Sequence, residues 1–406
     1  MSARVRVVIV GGSFAGLTTA VELRRHLDED RAEITLISNR SRFTFIPSLT
    51  WVATGSRRID QISFDLESAL ANSRVNFVND AMTSIDVDAN VVITEQSKYP
   101  YDFVVIATGH RSANEAVDGL GPFDGPGHSP MSPREAEELS VALNALLKEP
   151  APVVVGAAPG ASCIGPAYEL TFEIDHILRR RKLRHLVPIS FVTPEPYLGH
   201  MGMGGAGKIR QFLEGEFEER DIRYRTSVAV TKVADDSVEV DGSDSIPSAL
   251  SIVIPPLAGV DAVAKSEQIA NPKGFVPVDQ HYRHPEVDRL YAVGVAVAMA
   301  PVESTPVPVN FPKTGHMTEQ MARVAAEDIA ARVDGREGST SALGARCILD
   351  MGGTAAFLSV NPVRPPRNDI PKLSVGYRWL LAKRVFERTY LFHASRGRRM
   401  PTTLGW

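Results

Sequence analysis

The chain has 406 residues, enough for two or three domains and a large core. It is 44% hydrophobic and 23% charged with a net charge of −4, which excludes a disordered chain and argues against bulk nucleic-acid binding. Two cysteines exclude a disulfide-stapled secreted scaffold, and the most apolar stretch, Tyr291 to Val302, contains Gly294 and Pro301 and is too short to span a membrane.

Val5 to Val10 (VRVVIV) is the nearly continuous apolar run of a buried parallel strand. It begins almost at the N-terminus, so no signal peptide is expected and synthesis in the cytosol follows. The turn Gly11, Gly12, Ser13, Phe14, Ala15, Gly16 comes next, then an amphipathic helix from Leu17 to Leu27 and a strand from Ile34 to Ile37. That is a βαβ dinucleotide fingerprint, with Ser13 where the pattern has glycine. Ser38 and Asn39 replace the usual ribose-binding acid but can still hydrogen-bond a ribose hydroxyl. A further buried strand, Asp102 to Thr108, ends in Thr108-Gly109.

Gly121 to Pro133 reads as linker, and Arg134 to Leu147 as helix. Pro152 opens a second βα unit, VVVGAAPGASCIG, whose Gly156, Gly160 and Gly165 lack the regular spacing. Strands at Ile189 to Thr193, Thr226 to Val233 and Ser251 to Ile254 would complete an inserted domain. Gly274 to Val295 returns to a strand (LYAVGVAVA), and Lys313 to Arg332 forms a long helix. The expected division is 1–120 with 271–335, then 151–270, then 336–406.

Cys163 stands where a nicotinamide cofactor's pyrophosphate would rest, just inside the expected helix. Free backbone N–H groups and the helix dipole would stabilise its thiolate there. Alternatively NADH still binds, Glu195 holds its ribose, and Cys163 is a small buried residue. Cys347 lies far along the chain in GARCILDMGG, and sequence distance gives no reason to pair the two. No metal-ligand spacing is present. His200, on a glycine-rich loop, reads as catalytic or as a surface histidine, and Glu169 as a functional or a helix-surface carboxylate. Lys313 sits at a helix start, where a cation opposes the dipole, which points to flavin or substrate charge. From Lys372 onward, arginines and lysines interleave with Tyr377, Leu381, Val385, Phe386 and Phe392, a composition that suits a helix lying in a membrane surface.

Taken together, these segments resemble the sulfide:quinone oxidoreductases, a branch of the two-dinucleotide-domain flavoproteins. GASCIGPAYEL, TPEPYLGHMG, NPKGFVPVD, the run from LYAVGVAVAMAP to FPKTGHM, and CILDMGGTAAFL carry the resemblance, which covers Val5 to about Phe386. It implies an α/β fold with two Rossmann-like domains, glutathione-reductase-like, plus a C-terminal region with an amphipathic membrane-associating helix. It implies FAD near Gly11 to Gly16, Ser38, Asn39, Thr108, Gly109, Gly294 and Gly315. It also implies a redox-active disulfide, Cys163–Cys347, handling hydrosulfide, with Glu169, His200 and Lys313 managing protons or charge. A membrane quinone would sit at Phe386 and Lys383. The family's third cysteine would fall about at Met131, so FAD is expected to be non-covalent, and Glu135 stands where the family often has histidine. The chain stops soon after the basic helix, which leaves room for a homo-oligomer to complete the quinone pocket. A peripheral protein on the cytoplasmic side is expected. A type II NADH:quinone dehydrogenase and a flavin redox sensor without turnover are the alternative readings.

Overall fold

The computed structural model describes residues 4–121, 125–242, 244–367 and 371–400, so part of the expected linker and the last residues of the basic tail lie outside the described residues. Two parallel sheets organise the chain. The first has the spatial order Leu290–Ala292, Phe103–Ile106, Val5–Val10, Ala32–Ser38, Asn76–Asn79. The second has the order Ile222–Arg225, Ile189–Val192, Val153–Ala157, Leu250–Ile254. In each sheet the first strand lies in the middle, with later strands added on either side. The strand order therefore reverses beside the carboxyl end of Val5–Val10 and again beside that of Val153–Ala157. Ligands of open α/β sheets bind at such switch points.

Burial follows from composition. Val7 to Val10, Phe103 to Ile106 and Val153 to Ala157 are buried throughout, as strands covered on both faces require. The helix Phe14–His26 packs closely along Gly315–Val333 on the first sheet. The last region is an antiparallel sheet, Ala345–Asp350, Ala355–Val360 and Lys372–Gly376, followed by the helix Tyr377–Ala394.

Three expectations change. Thr226 to Val233 is not one strand: Ile222–Arg225 joins the parallel sheet, while Val230–Val233 belongs to a separate antiparallel sheet. LYAVGVAVA is strand only over Leu290–Ala292, because Gly294 adopts φ +71 and turns the chain. Lys313 does not begin the long helix, which runs Gly315–Val333 behind the N-cap Thr314.

That long helix is pinned by the buried Asp328. Its carboxylate accepts from Arg283 Nε at 2.7 Å, Tyr291 OH at 2.6 Å and Gly338 N at 3.0 Å. Burial works against the charge, but these donors outweigh it and hold the carboxyl below its ordinary value. Asp328→Asn leaves Arg283 without its charge partner and is expected to cost about 3 kcal/mol, read as a lower denaturation midpoint. Because the folded pKa is depressed, the wild-type contribution is present above the unfolded value of about 4 and is lost as pH falls through the folded one. The gap between wild type and Asp328→Asn should therefore narrow in acid.

Candidate active site

The first switch point is built to receive a phosphate. Gly11 has φ +117, and a Cβ there would lie 2.2 Å from Ala107 O; one on Gly16 would lie 1.8 Å from Gly11 O. Only glycine lets the turn fold this tightly. The helix behind it starts at Phe14 with no side-chain cap and no acid in its first turn. Its N–H groups are therefore open to an anion. Thr108 Oγ1, on the neighbouring strand end, is buried without a partner. An orphaned hydroxyl beside an uncapped helix fits a dinucleotide. Ser38 is less available than expected: its Oγ donates to Arg40 O at 2.9 Å and accepts from Arg40 N at 3.1 Å. Asn39, exposed, is left at that strand end.

A cavity of about 390 Å³ opens from this point. Its wall carries Ser13, Phe14, Ala15, Gly109 and Gly315 from the expected dinucleotide set, together with Cys163, Cys347, Glu169, Lys313, Lys383 and Phe386. Residues of both parallel sheets and of the C-terminal region thus meet on one surface. Gly294 lies just outside the wall, and a Cβ there would lie 2.9 Å from Ala15 Cβ. Met131 is on the wall, so this position faces the cavity with a thioether, which cannot serve as a thiol nucleophile. Glu135 is buried nearby and accepts from Ser129 Oγ at 2.9 Å.

The cysteines share the cavity as free thiols. The expected place of Cys163 inside a helix is corrected. The helix begins at Gly165, with Pro166 in its first turn and Ile164 as N-cap, so Cys163 precedes the N-terminus. Burial, with help from the Glu169 charge, pushes its thiol up to about 11. Cys347, on the strand Ala345–Asp350, is pushed up to about 12 by burial, Cys163 and Glu169.

Glu169 accepts from Thr50 Oγ1 at 2.9 Å and from the Lys383 ammonium. Burial raises its pKa, and Lys383 only partly opposes this. Burial also works against the Lys383 charge, but Glu169, Asp350 and Glu173 outweigh it and keep the ammonium above its ordinary value. Lys383 and Phe386, expected beside the quinone, share the cavity wall. Phe386 packs with Phe45 and Tyr390 at ring distances of 6.0 and 5.8 Å. Lys313 donates to Val295 O at 2.9 Å and Val297 O at 2.5 Å, and lies 4.0 Å from the Phe275 ring centroid. Burial lowers its pKa to about 7.

His200 is not brought to the cavity wall. It is buried, accepts from Gly202 N at Nδ1 (3.2 Å), and so presents Nε2–H to Glu303 at 2.9 Å. Its loop reaches the cavity through Met201 and Met203 instead. The sequence reading missed Thr50, His110, His316 and Glu319 on the wall. His110 and His316 directly follow the singled-out Gly109 and Gly315, a signal that was available. Burial lowers both histidines to about 4 and raises Glu319 to about 7.

At the second switch point the acid is already occupied. Glu195, the acid that could hold a second ribose, accepts from Tyr168 OH at 2.7 Å, Thr193 Oγ1 at 2.8 Å and Met201 N at 2.6 Å, and is fully buried.

The family model described as pyridine nucleotide-disulphide oxidoreductase matches residues 5–325. The chain is 36% identical to the sulfide-quinone reductase of Aquifex aeolicus, over 98% of this chain and 92% of that one. The crystal structure of the sulfide:quinone oxidoreductase from Aquifex aeolicus superposes with a TM-score of 0.94 at 35% identity, covering 98% and 93% of the two chains. A type II NADH:quinone oxidoreductase of Staphylococcus aureus is 33% identical over only 29% of each chain. The NDH2 structure from Plasmodium falciparum shares the fold, with a TM-score of 0.72 at 14% identity over 97% and 96% of the chains.

The raised thiol pKa values predict slow alkylation of the reduced protein. Reaction with iodoacetamide, followed by mass spectrometry, should rise about tenfold per pH unit through roughly pH 7–9 without levelling off. A plateau near neutrality would mean that one thiol is activated.

Proposed function

Since the chain belongs to the pyridine nucleotide-disulphide oxidoreductases and, among them, to the sulfide-quinone reductases, we propose that it oxidises sulfide at the Cys163–Cys347 pair and delivers the electrons to a quinone through bound FAD. The observation that carries this reading is the position of the two cysteines. They come from distant parts of the chain and stand together on the wall of the cavity that opens from the dinucleotide turn. FAD, when bound, accepts two electrons from sulfur and yields them to the quinone. We assign its dinucleotide to the segments 1–120 and 271–335, the first cysteine to 151–270, and the second to 336–406.

The working pair is a disulfide, or a disulfide extended by sulfur. Hydrosulfide bonds to Cys163 Sγ as the bond to Cys347 breaks, leaving a persulfide on Cys163 and a thiolate on Cys347. Glu169, held by Thr50 and Lys383, takes up the proton released at the persulfide. Lys383 stabilises the negative charge that appears during exchange. Further hydrosulfide would lengthen the product to polysulfide, each added sulfur giving up two more electrons, which the quinone would take. The quinone ring packs near Phe386 on the aromatic side of the cavity. FAD is held non-covalently as far as position 131 is concerned.

Among the described residues, no helix is long and apolar enough to cross a membrane. The helix Tyr377–Ala394 exposes Tyr377, Leu381, Val385 and Phe392 along one side, with Arg378, Arg384 and Arg388 beside them. This face rests on an anionic membrane surface, on the cytoplasmic side. The closed Glu195 disfavours the NADH reading.

Anaerobic visible spectroscopy tests the reading. Sulfide should bleach the flavin band, a soluble quinone should restore it, and NADH should do neither. Cys163→Ser should keep FAD and lose sulfide-driven bleaching; persistence of bleaching would sink the cysteine scheme. Leu381→Asp with Val385→Asp should weaken co-sedimentation with anionic vesicles by about tenfold or more while leaving the flavin spectrum unchanged.

A further inference from the structure

Behind Glu169 stand two carboxyls that the proposed chemistry does not use. Glu173 lies one turn further along the helix Gly165–Arg180, and Asp350 ends the strand Ala345–Asp350. One oxygen from each of the three lies within 4.8 Å of the others. Glu169, Glu173 and Asp350 are 7%, 5% and 4% exposed. The ammonium facing them is that of Lys383. Three carboxylates against one cation in a buried site cannot all remain ionised, so protons reside in the cluster.

The hydrogen bonds indicate where. Asp350 accepts from N–H groups at both oxygens, from Trp51 Nε1 at 2.7 Å and Gly352 N at 2.8 Å. Glu169 accepts from Thr50 and Lys383. Glu173 differs. Its Oε1 is buried without a partner, and its Oε2 lies 2.7 Å from Thr54 Oγ1. That hydroxyl also lies 3.0 Å from the carbonyl oxygen of Thr50, which can only accept. A hydroxyl carries one proton. Thr54 therefore donates either to Glu173 Oε2 or to Thr50 O, and in the second arrangement Glu173 is protonated and donates to Thr54. Burial, then the charges of Glu169 and Asp350, raise the Glu173 pKa well above its ordinary value, with Lys383 and Thr54 opposing. Arg57, beyond the helix Leu49–Ala53, pairs with Glu387 at 2.9 Å.

We propose that Glu173 is the second station of a proton path that starts at Glu169 on the cavity wall and leads through Thr54 toward the surface. Thr54 is half-buried, and Gly55 and Ser56 after it are exposed. The inference rests on the sulfide reading, because Glu169 must first take up a proton from sulfur. Glu169 then passes that proton to Glu173 as Glu173 yields its own to Thr54, whose hydroxyl turns from Thr50 O and releases the proton it held to solvent water. One O–H bond forms for each that breaks, and no electrons move. The span between the two carboxyls is one that a bridging water closes. Lys383 and Asp350 keep the charge nearly constant while the proton passes. Glu173 does not touch the reacting sulfur; it acts through Glu169 by restoring its basic form.

The test uses the FAD-loaded enzyme in anaerobic stopped flow, following sulfide-driven flavin bleaching across pH in H2O and D2O. Glu173→Gln keeps the shape of the side chain and removes its proton exchange. Bleaching should slow by about tenfold, with a displaced pH profile and a larger solvent isotope effect, while Glu173→Asp recovers most of the rate. Bleaching by dithionite should be unchanged. If Glu173→Gln fails to retain flavin, Thr54→Val, which removes the next station, is measured in its place with the same expectation. A variant that bleaches within about twofold of wild type, or slows equally at every pH without an isotope effect, overturns the relay alone. A wild-type flavin that sulfide does not bleach overturns the functional reading, and the relay with it.

Discussion

The buried contact between Lys383 and Glu169 is the constraint on which the site depends. It joins the C-terminal helix to the first helix of the second parallel unit, across the cavity wall. Removing either partner would strand a charge in a buried site, a loss of about 3–5 kcal/mol. The same seam is fastened twice more. Glu387 accepts from Arg57 Nε at 2.9 Å and from Ser48 Oγ at 2.5 Å, and Asp350 accepts from the Trp51 indole. These three bonds tie the Ser48 to Arg57 segment to the last region of the chain, and Thr50 ties the same segment to Glu169. The cysteines come from opposite sides of the seam, so their approach is set by charge pairing as much as by apolar packing.

This arrangement also governs when the site is reactive. The site around Cys163 and Cys347 favours the neutral forms of both thiols, because burial and the Glu169 charge work together. A reduced pair at neutral pH is therefore poorly nucleophilic. In the proposed reaction the incoming hydrosulfide brings its own negative charge, and thiolate appears only when a sulfur–sulfur bond breaks. Lys383 then lies close by to receive that charge. The site need not maintain a thiolate at rest, which limits adventitious oxidation between turnovers.

Local signals were legible and long-range ones were not. Gly11, Gly16 and the flanking strand and helix could be read directly, since a turn that tight admits only glycine whatever else surrounds it. The misplaced helix start at Cys163 is also local: Gly165-Pro166 marks the true first turn, because proline tolerates that position and few others. His200 drew attention through its glycine-rich loop after a strand end, but its contact with Glu303, 103 residues away, carried no local signal. Thr50, Trp51 and Asp350 carried no local signal; their roles arise from contacts across more than a hundred residues of sequence. Glu173 gave a weak one. Two acids four residues apart in a helix of Tyr168, Leu170, Phe172 and Ile174 are an anomaly on a buried surface.

The choice of electron donor within this shared architecture comes down to the second switch point. Sheet order there is intact, and an uncapped helix still begins beyond Val153–Ala157. What differs is the acid. An acid at the end of the second strand must project a free carboxylate to hold a ribose. Glu195 has both oxygens occupied by the Tyr168 hydroxyl, the Thr193 hydroxyl and the Met201 amide, and burial first of all raises it to about 7. Freeing it would leave the Tyr168 hydroxyl with only the Gly199 amide, which it accepts from, and no acceptor of its own. The contacts that close this crevice also fix Met201, whose loop supplies part of the cavity wall beside the cysteines. One set of hydrogen bonds thus both occupies Glu195 and positions part of the wall that the two cysteines share.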